Sequence, residues 1–343
     1  MAMDKWVSAE INTHVVPGTI AGVPTYYDAD KEFGAKHFGL MSDGQFVAAN
    51  LKAEDGREFG IMLHMMCVNP IQAPDSWPGM LSIISMTDFT ANTYCVKEDV
   101  FMGDQMSYAT EDMDLKTPIS YMRREGKKFY AGTDLPDGKG RIELDMTQVT
   151  PFLYNCATGQ FPFLNDEVLC YQYSVPGLKC TGKLTLDGKE YAVEGDAWID
   201  RQWGDGNIDF VNRTFKWYWM NLNLEDGTKI SCWDVCPNGK KENAWATVLL
   251  PTGAHIVTAM EPWSKDEGDY YVGATGQKYP TSYVLRMPGI DSEFHVKLRG
   301  LPEQEIVSNT GEDKYEAAMT FTGTFMGKPT KGFNYVELVG SFK

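Results

Sequence analysis

Six Asp-Gly dipeptides punctuate this chain, at Asp43-Gly44, Asp55-Gly56, Asp137-Gly138, Asp187-Gly188, Asp205-Gly206 and Asp226-Gly227. Asp and Gly adopt positive φ more readily than other residues, and a tight antiparallel hairpin needs that conformation at its tip. Most of these dipeptides are flanked by runs in which apolar and polar residues alternate, the two-residue period of a strand. Lys183–Leu186 leads into Asp187-Gly188 and returns as Tyr191–Val193, while Leu222–Leu224 turns at Asp226-Gly227 into Ile230–Val235. Val248–Leu250 turns at Thr252-Gly253 into His255–Val257, and Met319–Phe321 turns near Gly327 into Phe333–Leu338. Apolar residues at helical spacing never persist beyond about two turns. The pattern predicts an all-β protein of sandwiches or up-and-down barrels and excludes βαβ architecture.

A chain of 343 residues exceeds one ordinary sandwich and suits two domains, each large enough for its own core. Leu51–Leu63 and Leu222–Val235 share a strand, an acidic Asp-Gly turn and a returning strand, which hints that the halves are related. The 47 Asp and Glu outnumber 31 Lys and Arg, and the net charge of −16 repels nucleic acid and anionic membranes. The local basic run Arg123, Arg124, Lys127 and Lys128 reads as a solvated loop. The N-terminus shows no basic stretch followed by an apolar one, and no apolar run approaches the ~18 residues of a membrane span, so a cytoplasmic location is expected. Seven irregularly spaced cysteines suit a reducing compartment better than a disulfide framework. Cys232 and Cys236 have no partner pair at zinc-like spacing, and phosphate-loop, serine-elbow and His-Glu-x-x-His signatures are missing. The expected cofactor is none.

The most unusual segment is Gly195-Asp196-Ala197-Trp198-Ile199-Asp200-Arg201-Gln202-Trp203-Gly204-Asp205, in which two tryptophans bracket an acid, a guanidinium and an amide. It resembles the G-x-x-W-x-D-x-x-W-G signature of the carotenoid 1,2-hydratase and AttH-like family, which also includes kievitone hydratases and lipocalin-type Diels-Alderases. Tyr171–Ser174, Thr181–Thr185, Gly276–Thr281, Lys314–Ala318 and Gly332–Gly340 continue the resemblance in the family's order. In the first half Leu51–Gly60 fits, but Gln45-Phe46-Val47-Ala48 replaces the Trp-Trp-Tyr that commonly precedes it. The resemblance implies two consecutive lipocalin-like β-barrel or sandwich domains, residues 1–206 and 207–343, with the boundary near Asn207 to Arg213. It also implies addition of water to an isoprenoid carbon–carbon double bond of a hydrophobic small molecule, without metal or organic cofactor. An isomerisation or cyclisation in the same pocket, or simple carriage of the ligand, stays open.

Such chemistry needs a carboxylic acid that is protonated at neutral pH, hence one in an apolar setting, with aromatic faces to shelter the cation. Asp234, after Trp233 and on the same side of its strand as Ile230 and Cys232, is either an edge charge or the pocket acid. The resemblance makes it the expected proton donor, because the hydratases' proposed acid lies on this strand, although Cys232 stands where they often carry Tyr. Trp203 and Tyr315 are then expected to shape the cation site. Asp200 either donates a proton or, with Arg201, fixes the signature strand. Glu316 and Glu337 are alternative acids, or carboxylates held by hydrogen bonds. Trp217, Trp219, Trp233 and Tyr335 are expected to line the substrate or the core. His64, in the apolar run Ile61–Met66, is a pocket-wall histidine or a proton shuttle.

Overall fold

The computed structural model describes residues 27–69, 74–163, 169–204, 215–236, 243–265, 267–309 and 313–342. Among them the regular structure is all strand apart from short 3-10 turns, as the hairpin spacing predicts. The expected boundary between Asn207 and Arg213 lies outside the described residues. The chain forms two compact units. The first comprises the described residues up to Gly204 except the hairpin tips Arg57–Gly60 and Met86–Val96, which group with the second.

Thirteen strands make the first sheet. They are β1 (Ser42–Ala53), β2 (Glu58–Val68), β3 (Gly79–Asp88), β4 (Thr93–Met102), β5 (Ser107–Tyr108), β6 (Asp114–Lys116), β7 (Ser120–Glu125), β8 (Lys128–Asp134), β9 (Gly140–Gln148), β10 (Leu153–Tyr154), β11 (Gln160–Pro162), β12 (Leu169–Leu186) and β13 (Lys189–Gly204). Ten make the second: β14 (Lys216–Leu224), β15 (Lys229–Cys236), β16 (Asn243–Leu249), β17 (His255–Ala259), β18 (Glu267–Val272), β19 (Lys278–Met287), β20 (Ser292–Leu298), β21 (Glu305–Ile306), β22 (Lys314–Phe325) and β23 (Lys328–Gly340).

Both sheets are antiparallel meanders in which the first strand pairs with the last. Ser42 faces Gly204 at one end of the β1–β13 ladder, and Lys216 faces Gly340 in β14–β23. The related Asp-Gly hairpins noticed in the sequence therefore hold equivalent places, as β1–β2 and β14–β15. Barrel or sandwich domains were the expectation, and the structure shows curled sheets resembling lipocalin-like barrels that stay open among the described residues. The strand orders run from β4 to β5 and from β17 to β18 without a pair across either seam among the described residues. Side chains span the curl instead. In the first unit Ser82 Oγ of β3 donates to Ser120 Oγ of β7 at 2.9 Å, and Ser120 bonds Thr133 at 2.8 Å. In the second, the Tyr218 hydroxyl of β14 donates to Glu267 of β18.

Turn chemistry explains the hairpins. Asp187 and Gly188 take φ of 50° and 79° between β12 and β13, the paired positive values that match strand twist at a two-residue turn. Asp55-Gly56, Asp137-Gly138 and Asp226-Gly227 also sit at strand connections, and Asp205-Gly206 lies outside the described residues. Asp43-Gly44 is the exception: it belongs to β1, where a buried ion pair overrides the turn preference. The basic run forms the β7–β8 hairpin, where Arg123, Lys127 and Lys128 are solvated as expected, while Arg124 packs over the Phe33 ring at 4.4 Å.

Candidate active site

Alternation along β13 divides the signature motif between two faces. Ala197, Ile199, Arg201 and Trp203 share one, Trp198, Asp200 and Gln202 the other. Arg201 is 0 % exposed and pairs with Asp43. Its Nε donates to the Glu32 carbonyl at 2.7 Å and its Nη2 to the Gly34 carbonyl at 2.8 Å. The motif's arginine thus fastens the segment before β1 onto the sheet.

Trp203 lies parallel to His37 at 4.3 Å and to Tyr171 at 5.3 Å between centroids, with Tyr27 edge-on and the Arg201 guanidinium 4.9 Å from its ring. Burial lowers the proton affinity of His37, which favours the neutral ring in that stack. The Trp203 ring, expected to shape the cation site, is contacted by the side chains of His37, Tyr171, Tyr27 and Arg201. On the opposite face Asp200 accepts from Trp198 Nε1 at 2.7 Å and from the Ser174 hydroxyl. Arg201 and Asp200 therefore have separate partners on separate faces. His64 of β2 packs edge-on to Phe46 at 5.8 Å, and a Cβ on Gly44 would come within 3.2 Å of its Nε2.

In the second unit Tyr218, Met220, Leu222, Ile230, Cys232, Val336 and Leu338 turn into a core that also holds Trp263, Tyr279, Tyr283 and Tyr315. Asp234 follows the parity of Ile230 and Cys232 onto this core side, and its Oδ2 accepts the Trp263 backbone N–H at 2.8 Å. Trp263 opens the 3-10 turn between β17 and β18, so Asp234 secures the connection across the seam. Tyr315 stacks on Tyr279 at 5.1 Å, and its hydroxyl donates to the Pro302 carbonyl at 3.0 Å. Trp203 belongs to the first unit and Tyr315 to the second, where each is part of a packed aromatic cluster.

The face of the second sheet turned away from that core is different. Register places Glu316 of β22 opposite Glu337 of β23, Glu337 opposite Trp219 of β14, Trp219 opposite Trp233 of β15, and Trp233 opposite Trp245 of β16. One lateral row thus carries two carboxyl groups and then three tryptophans, all on the same side of the sheet. Trp233 and Trp245 stack at 6.1 Å with planes 10° apart. In the adjoining row Trp217 donates Nε1–H to Glu337 Oε1 at 2.9 Å. Trp219 Nε1 donates to Ser231 Oγ at 3.3 Å, and the Tyr335 hydroxyl donates to the Glu316 carbonyl at 3.3 Å. Lys314 reaches Glu316 Oε1 at 2.5 Å and Glu337 Oε2 at 3.4 Å.

Glu316 is 0 % exposed. Burial, reinforced by the Glu337 carboxyl and opposed by the Lys314 ammonium, pushes its pKa up to about 8. The physical reason is that one lysine serves two carboxylates, so full ionisation would leave a net negative charge out of water. Burial thus favours the protonated form of Glu316, which stands at the end of a row that continues through Glu337 to three indoles. This arrangement of Glu316 with Trp217, Trp219, Trp233 and Tyr335 is the candidate active site. Asp234 faces the other side of the same sheet, so the two acids cannot serve one site on this face.

A linkage effect follows. Glu316 has a folded pKa of about 8 against an ordinary 4.5, so the native state binds the additional proton between those values. Its contribution is fully present below about 4.5 and lost as pH rises through about 8. Glu316→Gln mimics the neutral acid and removes the effect. The Tm of the native protein minus that of Glu316→Gln should fall steadily from about pH 5 to about pH 9; a difference independent of pH would show that Glu316 is not protonated in the fold.

A sequence model described as AttH-like matches residues 36–341. This chain belongs to the AttH-like family. The AttH-like chain is 27% identical over 332 residues to a kievitone hydratase from Fusarium solani subsp. phaseoli, across 93% of this chain and 87% of that protein. It is 27% identical over 179 residues to the dehydratase asqC of Emericella nidulans, an alignment spanning 49% of this chain and half the length of that relative. In three dimensions an AttH from Nitrosomonas europaea superposes with a TM-score of 0.79 at 19% identity, over 95% of this chain and 99% of that one. That likeness establishes the AttH-like fold, two antiparallel β units in sequence.

Proposed function

We propose that this protein is a cofactor-independent hydro-lyase that adds water to, or removes it from, a carbon–carbon double bond of an apolar, isoprenoid-like small molecule, with Glu316 as the proton donor. The observation that carries the reading is the fully buried Glu316 carboxyl, held in its protonated form beside Glu337 and the tryptophan row. The relatives named as a hydratase and a dehydratase support the same reaction class. Transfer of the Glu316 proton to the alkene places positive charge on carbon, which indole faces stabilise without competing as nucleophilic oxygens. Water adds to the cation, and the carboxylate takes back a proton. Asp200, Asp234 and Arg201 have structural roles in this reading, and Trp203 and Tyr315 pack the two cores.

The test uses kievitone, the molecule named by the hydratase relative, in heavy-oxygen water containing a chelator. The expected product carries the label in a new hydroxyl group. An unlabelled isomer of the substrate would overturn hydration in favour of isomerisation or cyclisation. If kievitone is left unchanged, native mass spectrometry of the protein as purified identifies the co-purifying ligand for the same assay. A ligand that binds and is released unaltered would overturn the enzymatic reading.

A further inference from the structure

A buried acid that gives up its proton to carbon leaves a buried carboxylate behind, and the site must accommodate that charge. We infer that Lys314 is the counter-charge for Glu316 after proton transfer, and that Glu337 with Trp217 is the clamp that holds the ammonium in place. The inference rests on the proposed reading of Glu316 as the acid.

The geometry is specific. Lys314 is only 4% exposed in its side chain, and its Nζ lies 2.5 Å from Glu316 Oε1 and 3.4 Å from Glu337 Oε2. Glu337 is fixed from its other side by the indole N–H of Trp217 at 2.9 Å. Among the described residues, the titratable groups facing Glu316 are Lys314 on its own strand and Glu337 and Tyr335 on β23. Just before β21, the Gln304 carbonyl accepts the Glu316 backbone N–H at 3.3 Å.

The charge balance of the step follows from this arrangement. At rest Lys314 stands between the two carboxyl groups while Glu316 keeps its proton. In the forward step the Glu316 O–H bond breaks, a C–H bond forms from the alkene π pair, and charge separates into a carbocation and the Glu316 carboxylate. Lys314 already stands at contact distance from that carboxylate, so little reorganisation is needed. Water then supplies the electron pair for the new C–O bond, and its surplus proton returns to Glu316. Lys314 is thus a positioning residue that never touches the substrate. A neutral side chain in its place would strand the new carboxylate in a buried setting.

The experiment follows the carboxylic-acid C=O infrared band of Glu316, assigned as the band lost in Glu316→Gln, through a pH titration of the native protein, Lys314→Met, Lys314→Arg and Glu337→Gln. Removal of the cation should raise the Glu316 midpoint by at least about one pH unit. Lys314→Arg should restore it, and Glu337→Gln should lower it, because a like charge is lost. With the substrate identified above, Lys314→Met should lower kcat by roughly tenfold or more with KM nearly unchanged, since the charge appears only in the transition state. An unmoved midpoint in folded Lys314→Met overturns the inference whatever its activity. A moved midpoint together with full activity of Glu316→Gln would uphold the charge coupling but overturn Glu316 as the acid. These outcomes separate a failure of the counter-charge from a failure of the proposed reaction.

Discussion

Replacing Glu316 by Gln lowers turnover by at least the ~10²-fold typical of losing a general acid, while binding of the substrate is retained. Gln keeps the shape of a protonated carboxyl group and can donate a hydrogen bond, but it cannot deliver a proton to carbon. The fold should tolerate the change, because Glu316 is already neutral in its buried position at the end of the row. Asp234→Asn is the matched control. Asp234 accepts the Trp263 N–H on the core side of β15, so its loss should lower stability rather than the chemical step. Steady-state kinetics and equilibrium binding on both variants decide the matter. If Asp234→Asn abolished turnover with an intact Tm while Glu316→Gln stayed fully active, the acid would lie on the core side of the sheet and the assignment of Glu316 would fail.

Arg201→Met should destabilise the first unit by about 3–5 kcal/mol, the range for removing one partner of a buried ion pair. Asp43 is 1% exposed and would be left buried without the guanidinium that pairs with it. The carbonyls of Glu32 and Gly34 would lose charged donors as well, which frees the segment that packs against Trp203. Asp43→Asn should cost a comparable amount for the reciprocal reason. The double variant should lose less than the sum of the two, because neither orphaned charge then remains. Denaturant midpoints of the four proteins test this cycle. Additive losses would mean that the two groups are held independently, and an unchanged midpoint for Arg201→Met would refute a structural role for the motif's arginine.

Signals that depend on near neighbours in the chain are legible in the sequence. Asp187-Gly188 and Asp226-Gly227 form turns because positive φ is a property of the residues themselves. Ile230, Cys232 and Asp234 share a face because side chains alternate along any strand. The same local logic fails where a distant partner intervenes. Asp43-Gly44 has the composition of a turn, yet it lies inside β1 because Arg201 claims the Asp43 carboxylate. The surroundings of Trp203 are likewise set at a distance, by His37 and Tyr171 stacking on it. A sequence signal for Glu316 does exist, in Lys314-Tyr315-Glu316 with cation and acid two residues apart on one face, but it does not say whether that face is wet or dry.

The sequence by itself therefore determined the all-β class, the hairpins and the two faces of each strand, and the family motif. All of these follow from turn chemistry and a two-residue period. Only the tertiary structure decided which acid lies buried between a second carboxyl group and a lysine. The row from Glu316 through Glu337 to Trp219, Trp233 and Trp245 is assembled by the registers of five strands. From the adjoining row Trp217 donates to the Glu337 carboxylate, 120 residues away. A carboxyl group's proton affinity depends on the charges and the water around it in space. Strand pairing and burial set both, and neither is written in the residues beside Glu316.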